Sequence, residues 1–193
     1  MTKTQPIEAL IAAYREGQRE FGENYVQEAL AKQDRLAHFD IGWHFIGPIQ
    51  SNKTKPIAAR FSWVHGVDRL KIAQRLNEHR PPDLPPLNVC LQANVSREPS
   101  KAGVDVDELP ALAAEIAALP RLRLRGLMAI PAPTPDIEQQ RAYLGSLRKA
   151  FEKLSHLGLD TLSMGMSGDL EAAILEGATL VRIGTAIFGA RPA

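Results

Sequence analysis

The chain has 193 residues, 45% hydrophobic and 23% charged, with a formal net charge of +1. That is enough for one domain with a substantial core, and there is neither a basic stripe for nucleic acid nor a polybasic membrane anchor. The single cysteine, Cys90 in the apolar run LNVCLQANV, excludes an internal disulfide and suits a reducing compartment. The polar start lacks a secretory leader's apolar region, and no stretch approaches the ~18 apolar residues of a membrane span. A cytoplasmic chain with small-molecule or protein partners is expected.

The first element is a helix: Ile7, Leu10, Ile11 and Tyr14 share one face, Pro6 sits at a tolerated first-turn position and Gly17 stops it. A strand-like REFG follows, then a helix near NYVQEALAKQDRL, strand WHFIG, a helix around KPIAARF, strand WVHGV and helix RLKIAQRLNEH. Next come strand LNVCLQANV, a helix through Leu109, Leu112, Ala113 and Ile116, strand LRLRGLMAI, and a long helix through Leu144, Leu147, Phe151 and Leu154. The chain closes with strand TLSMGM, helix DLEAAILEG and a seventh strand, LVRIGTAIFG.

Strands alternate with helices, and several strands are continuous apolar runs, which predicts a parallel sheet covered on both faces. The fold class is α/β. A closed barrel of this kind has eight strands in roughly 250 residues, so a doubly wound open sheet stays as the structural alternative. The proline-rich EHRPPDLPPLN is a short connection, and residues 1–193 are expected to form a single domain.

Parallel α/β folds hold their sites at the carboxyl ends of the strands. Two segments there stand out. SMGMSGDLEAAI passes from strand to helix through Gly165, Ser167 and Gly168, and VRIGTAIFG offers Gly184 and Thr185. Small residues and free amides at a helix start suit a phosphate, although the same glycines also suit turns and Ser167 an N-cap. Arg182, inside an apolar strand, needs either a buried ion-pair partner or a ligand. Asn24 either caps the second helix or touches a ligand. His44 reads as a core histidine, and Tyr14, Tyr25 and Tyr143 all fall on helical stretches. Lys3 precedes the first helix at a strand-to-helix junction. Facing a phosphate site there, its amine suits a Schiff base with a phosphorylated aldehyde.

TKTQP, FGENYVQEA, WHFIGPIQSNK, RLRGLMAI, SMGMSGDLEAAI and VRIGTAIFGAR occur in this order over nearly the whole chain. Together they closely resemble the pyridoxal 5′-phosphate homeostasis proteins, which look like the barrel domain of alanine racemase standing alone. The resemblance implies a (β/α)8 barrel carrying pyridoxal 5′-phosphate (PLP). It makes Lys3 the Schiff-base lysine, Ser167, Gly184 and Thr185 the phosphate contacts, Arg182 the neighbour of the pyridine nitrogen and Asn24 a polar residue near the cofactor. Gly168 departs from the family pattern, which commonly has an acidic residue there. Lys101 matches a loop lysine without an assigned role.

A permanently charged arginine at the ring nitrogen disfavours a protonated pyridinium and weakens PLP as an electron sink. The resemblance therefore implies a non-catalytic, monomeric PLP binder that regulates supply of the aldehyde, with PLP-dependent apo-enzymes as recipients. A PLP-dependent amino-acid racemase is the alternative, and an interaction module with incidental PLP is a third reading. In the family a helix and the first strand precede the lysine; here only Met1 and Thr2 do, with Met1 where the family commonly has valine. The expectation is that the start is assigned too late, and that a remnant of seven strands with two open edges holds Lys3 loosely.

Overall fold

The computed structural model describes residues 1–98 and 102–189, so Lys101 lies outside the described residues. Six strands, β1 (Glu20–Glu23), β2 (Gly42–Phe45), β3 (Trp63–Val67), β4 (Leu87–Ala93), β5 (Leu122–Ala129) and β6 (Thr161–Ser163), form one parallel sheet in chain order. Helices α1 (Ile7–Arg15), α2 (Val26–Arg35), α3 (Thr54–Arg60), α4 (Leu70–His79), α5 (Leu109–Ala117), α6 (Ile137–Lys153) and α7 (Leu170–Leu175) alternate with them, and a short α8 (Thr185–Phe188) ends the described chain.

The helices form for the reason their spacing suggests. α1 starts after Pro6 in extended backbone, carries Glu8 in its first turn and Arg15 in its last, and buries Leu10 completely. α4 likewise buries Ile72, Ala73 and Leu76 along one face. β4 and β5 have the longest pairing, from Leu87 opposite Leu122 to Ala93 opposite Ala129. Val89, Cys90 and Leu91 of β4 are all buried, as expected where helices cover one face and the curled sheet the other.

The sheet is curled. His65 on β3 and Ser163 on β6 are not neighbours in strand order, yet their side chains are 2.8 Å apart across the interior. The two outer edges approach each other at the carboxyl end, where Thr2 N–H donates to Gly22 O at 2.9 Å and the Met1 amine donates to Ile183 O at 2.6 Å. The curvature is that of a (β/α)-barrel, not of a doubly wound sheet.

The seventh strand is a correction. Leu180 makes one isolated bridge to Ser163, Arg182 N–H donates to Gly165 O, and the GTAIF part of the motif turns into α8. An apolar composition suits a strand, but a ladder needs a partner. Beyond Leu180, Met1 meets this segment from the far side through its amine at Ile183 O, and no regular strand forms there.

At the amino end of the sheet, Arg125 of β5 grips Asp160 with Nε at 2.9 and 3.1 Å and Nη2 at 2.6 Å. That hydrogen bonding holds the Asp160 carboxyl below its ordinary value. A depressed folded value means that stability is present above the unfolded value and lost as pH falls through the folded one. Asp160 is half exposed, so Asp160→Asn is expected to cost under ~1 kcal/mol at pH 7. Urea midpoints measured from pH 7 down to pH 2 should converge for the two proteins in the acid.

Candidate functional site

Lys3 occupies a tight turn in which Gln5 N–H donates back to Thr2 O at 3.0 Å. Thr4, the next residue, has φ of 60°, a left-handed conformation that strains a β-branched side chain. The turn is pinned on both sides. Lys32 Nζ, on α2, donates to Thr2 O at 2.6 Å, to Glu23 Oε1 at 2.8 Å and to Glu28 Oε1 at 2.6 Å. Thr2 Oγ1 also donates to Glu23 Oε1, and Thr4 N–H donates to Glu28 Oε1 at 2.6 Å. The Lys3 ammonium lies 4.8 Å from the centre of the Tyr25 ring.

A cavity of about 420 Å³ opens at the carboxyl ends of the strands. It brings together Lys3, Asn24, Ser167, Arg182, Gly184 and Thr185, the six residues singled out from the sequence, with Met1, Ile46, Pro48, Ile130 and Met166 as its apolar wall. A larger cavity, about 590 Å³, lies beside it between β1 and residues 180–188, sharing Met1, Ile46 and Arg182. That one is lined by none of Lys3, Asn24, Ser167, Gly184 and Thr185, so the residues singled out from the sequence converge on the smaller.

Asn24 does not cap α2: the cap position is Tyr25, with no side-chain bond. Its backbone is packed so closely against Gly47 that a side chain at 47 would collide with it, and Asn24 Oδ1 is buried without a partner among the described residues. Ser167 is not the cap of α7 either. Asp169 holds that position, accepting from Met166 N–H at 2.6 Å, while Ser167 Oγ accepts from Ala186 N–H at 3.3 Å and so ties the two candidate phosphate segments together. α7 and α8 have six and four residues, too short for much dipole, so an anion here would rest on amides and hydroxyls.

Arg182 is buried with no carboxylate partner among the described residues; the ion-pair alternative is not what forms. Its Nη1 donates to Ser163 Oγ at 2.9 Å and its Nη2 to Ala129 O at 2.8 Å, which leaves the Nε–H edge without a protein acceptor among the described residues. Burial pulls Arg182 down to about 10, still protonated at neutral pH.

Comparison with known proteins places this geometry. The alanine racemase N-terminal domain family matches residues 4–192. A pyridoxal phosphate homeostasis protein of Pseudomonas aeruginosa is 64% identical over 191 residues, covering 99% of this chain and 83% of that one.

The chain belongs to the pyridoxal phosphate homeostasis protein family.

The member of this family from Escherichia coli is 53% identical over 99% of this chain and 84% of its own. PipY of Synechococcus elongatus, solved with PLP bound, superposes with a TM-score of 0.89 at 37% identity, covering 97% of this chain and 90% of that chain. An alanine racemase of Clostridium difficile, at 16% identity and a TM-score of 0.76, shares the fold.

The pyridoxal phosphate homeostasis fold also organises residues that the sequence reading passed over. Glu23, Glu28 and Lys32 hold the Lys3 turn, although Lys32 on an amphipathic helix looks like a surface charge. His65 sits in the interior between His44 and Ser163. The available signal was positional: WHF and WVHG each place a histidine beside bulky residues in an otherwise apolar strand.

Among the described residues no helix is long and apolar enough to cross a membrane.

Proposed function

We propose that residues 1–193 form a single domain that binds PLP at this cavity and takes part in intracellular PLP homeostasis. The observation that carries the reading is convergence. Six residues spread from position 3 to position 185 meet at one cavity at the carboxyl end of the sheet, and the donor set matches the parts of the ligand. Lys3 would hold the ligand through its amine, which can condense with an aldehyde to form a C=N bond with loss of water. The Ser167 and Thr185 hydroxyls with backbone at Gly184 take the phosphate. Gly184 packs against Met1, which an added Cβ would meet at 3.3 Å. The Arg182 Nε–H edge would donate to the ring nitrogen, and Asn24 Oδ1 is a buried acceptor without a donor among the described residues. PLP, when bound, supplies a reactive carbonyl conjugated to a pyridine ring.

The residues hold that carbonyl without equipping it for proton abstraction. Arg182 keeps its proton at neutral pH and so discourages a pyridinium. Lys3 and Arg182 are the only ionisable side chains among the described residues lining the cavity, so no second side chain there is available as an acid or base. The curated relatives are named for homeostasis, not for a reaction. A binder that lends PLP to other proteins is the reading these features support, and its place as a monomer in the cytoplasm is part of the same proposal. The PLP-loaded protein incubated with L-alanine is expected to leave optical rotation unchanged over hours while restoring activity to a PLP-requiring apo-enzyme. Racemisation at ~1 s⁻¹ or faster, within the ordinary enzyme range, would replace this reading with that of a racemase.

A further inference from the structure

Four side chains buried or anchored in the barrel interior form a continuous run that ends at Arg182. Glu20 Oε2 on β1 is 2.6 Å from His44 Nε2 on β2, and His44 Nδ1 is 2.9 Å from His65 Nε2 on β3. His65 Nδ1 is 2.8 Å from Ser163 Oγ on β6, which also accepts from Arg182 Nη1 at 2.9 Å. His65 and Ser163 are fully buried and His44 nearly so, with Trp63 stacked on its ring at 5.4 Å. At the far end the Glu20 side chain is 60% exposed. The run thus connects solvent at the larger cavity to the cofactor cavity.

Donor and acceptor roles along it follow from chemistry. Arg182 can only donate, so Ser163 Oγ accepts and is free to donate its own hydrogen to His65 Nδ1. His65, held neutral by burial and by the neighbouring His44 and Arg182, then donates from Nε2 to His44 Nδ1, and His44 donates from Nε2 to Glu20. Every arrow points outward from Arg182, and the chain polarises cooperatively. A proton added to His44 reverses it. Both His44 nitrogens then donate, His65 must shift its hydrogen to Nδ1, and Ser163 Oγ receives two donors at once, which weakens its hold on Arg182.

We propose that Glu20, His44, His65 and Ser163 are positioning residues for Arg182, forming a two-state relay through which a proton taken up at the Glu20–His44 end alters the guanidinium contact with the ring nitrogen of bound PLP. This rests on the PLP reading of the cavity. The charged and titratable groups around the relay are few. Glu20 and His65 face His44, while Arg125 lies over Trp63 and pairs with Asp160. Asp169 and the Cys90 thiol, pushed up to about 12 by burial, act on Arg182. None of the others touches the imidazoles, so the relay's response is set at Glu20 and His44.

The test compares wild type with Glu20→Gln, an exposed change outside the cofactor cavity. The absorbance of bound PLP is followed from about pH 5 to pH 9, the range of histidine switches. Wild type should show a spectral transition, and Glu20→Gln should displace its midpoint, because the acceptor that ends the run 2.6 Å from His44 Nε2 then carries no charge. PLP content and borohydride-trapped adduct should be the same in both. Ser163→Ala should remove the transition, and Ser163→Thr should restore it. ¹⁵N spectra of the histidines in PLP-free protein give an independent readout: the His65 hydrogen should move from Nε2 to Nδ1 on acidification, with the same displacement in Glu20→Gln. A midpoint unmoved by Glu20→Gln, or a His65 tautomer that does not change with pH, overturns the relay. Absence of PLP binding by wild type would instead overturn the cavity assignment, and the tautomer measurement would still judge the relay.

Discussion

Lys3→Ala is expected to leave a folded chain that no longer retains PLP through gel filtration. Among the described residues the Lys3 side chain lies over the Tyr25 ring, a contact worth ~0.5–1 kcal/mol at an exposed site, so the fold loses little. The ligand would lose the covalent tether proposed for Lys3. What remains are hydrogen bonds worth ~0.5–1.5 kcal/mol each, or ~1.5–3 where the phosphate is involved. Retention at least ~100-fold weaker, about 2.7 kcal/mol, should appear in equilibrium dialysis. Borohydride reduction followed by intact-mass measurement should give one PLP adduct in wild type and none in the variant. An adduct of unchanged stoichiometry in Lys3→Ala would remove Lys3 from the role, and peptide mapping would locate the amine that has it.

The fold was legible where periodicity and connection length agree. Ile7, Leu10, Ile11 and Tyr14 identify α1, and β4 and β5 announce themselves as long apolar runs because both of their faces are covered. Residues 180–188 show the limit of that logic. LVRIGTAIFG has strand composition, yet composition reports burial, whereas a strand also needs a neighbour's backbone groups on a regular spacing. Among the described residues the segment makes one bridge, at Leu180, and then coils into α8.

The candidate site was legible for a different reason. Glycine-rich turns after strands and a lysine before a helix are local patterns, and the barrel gathers such ends at one mouth. What escaped was everything that depends on which face a residue takes. The sequence marks Arg182 as needing a carboxylate or a ligand, and the acceptors it meets are neutral ones, Ser163 and Ala129, which lie far off in the chain. His65 drew no notice in WVHGV because one polar residue in a short strand reveals nothing about its neighbour across the interior. Lys32 is four residues from Glu28, so the sequence suggests an ordinary surface pair. Only the fold turns it inward toward Glu23 and the Lys3 turn.

That inward turn makes Lys32→Met the substitution with the largest expected cost in stability. The lysine side chain is 7% exposed and bonds Glu23, Glu28 and the carbonyl of Thr2. Glu23 is fully buried, and its Oε2 has no partner among the described residues. Methionine matches the aliphatic stem but leaves the carboxylate of Glu23 buried and unpaired, a loss of ~3–5 kcal/mol against a typical total of ~5–15. The pH dependence has a definite sign. Burial already pushes the Glu23 carboxyl above its ordinary 4.5, with Lys32 pulling it back down, so removing Lys32 raises it further. An acid whose folded value is raised contributes stability that is present below the unfolded value and lost as pH rises through the folded one. The deficit of Lys32→Met should therefore be largest near pH 8 and shrink toward pH 4.5 in urea titrations. Adding Glu23→Gln should recover most of it at pH 8, since the unpaired charge is then gone. PLP retention should not recover in the double variant, because Thr2 and Glu28, which hold the strained Thr4 and the turn carrying Lys3, still lack the ammonium between them. A deficit below ~1 kcal/mol at pH 8, the scale of an exposed pair, or one equal at both pH values would show that Lys32 is the surface charge its helix position suggests.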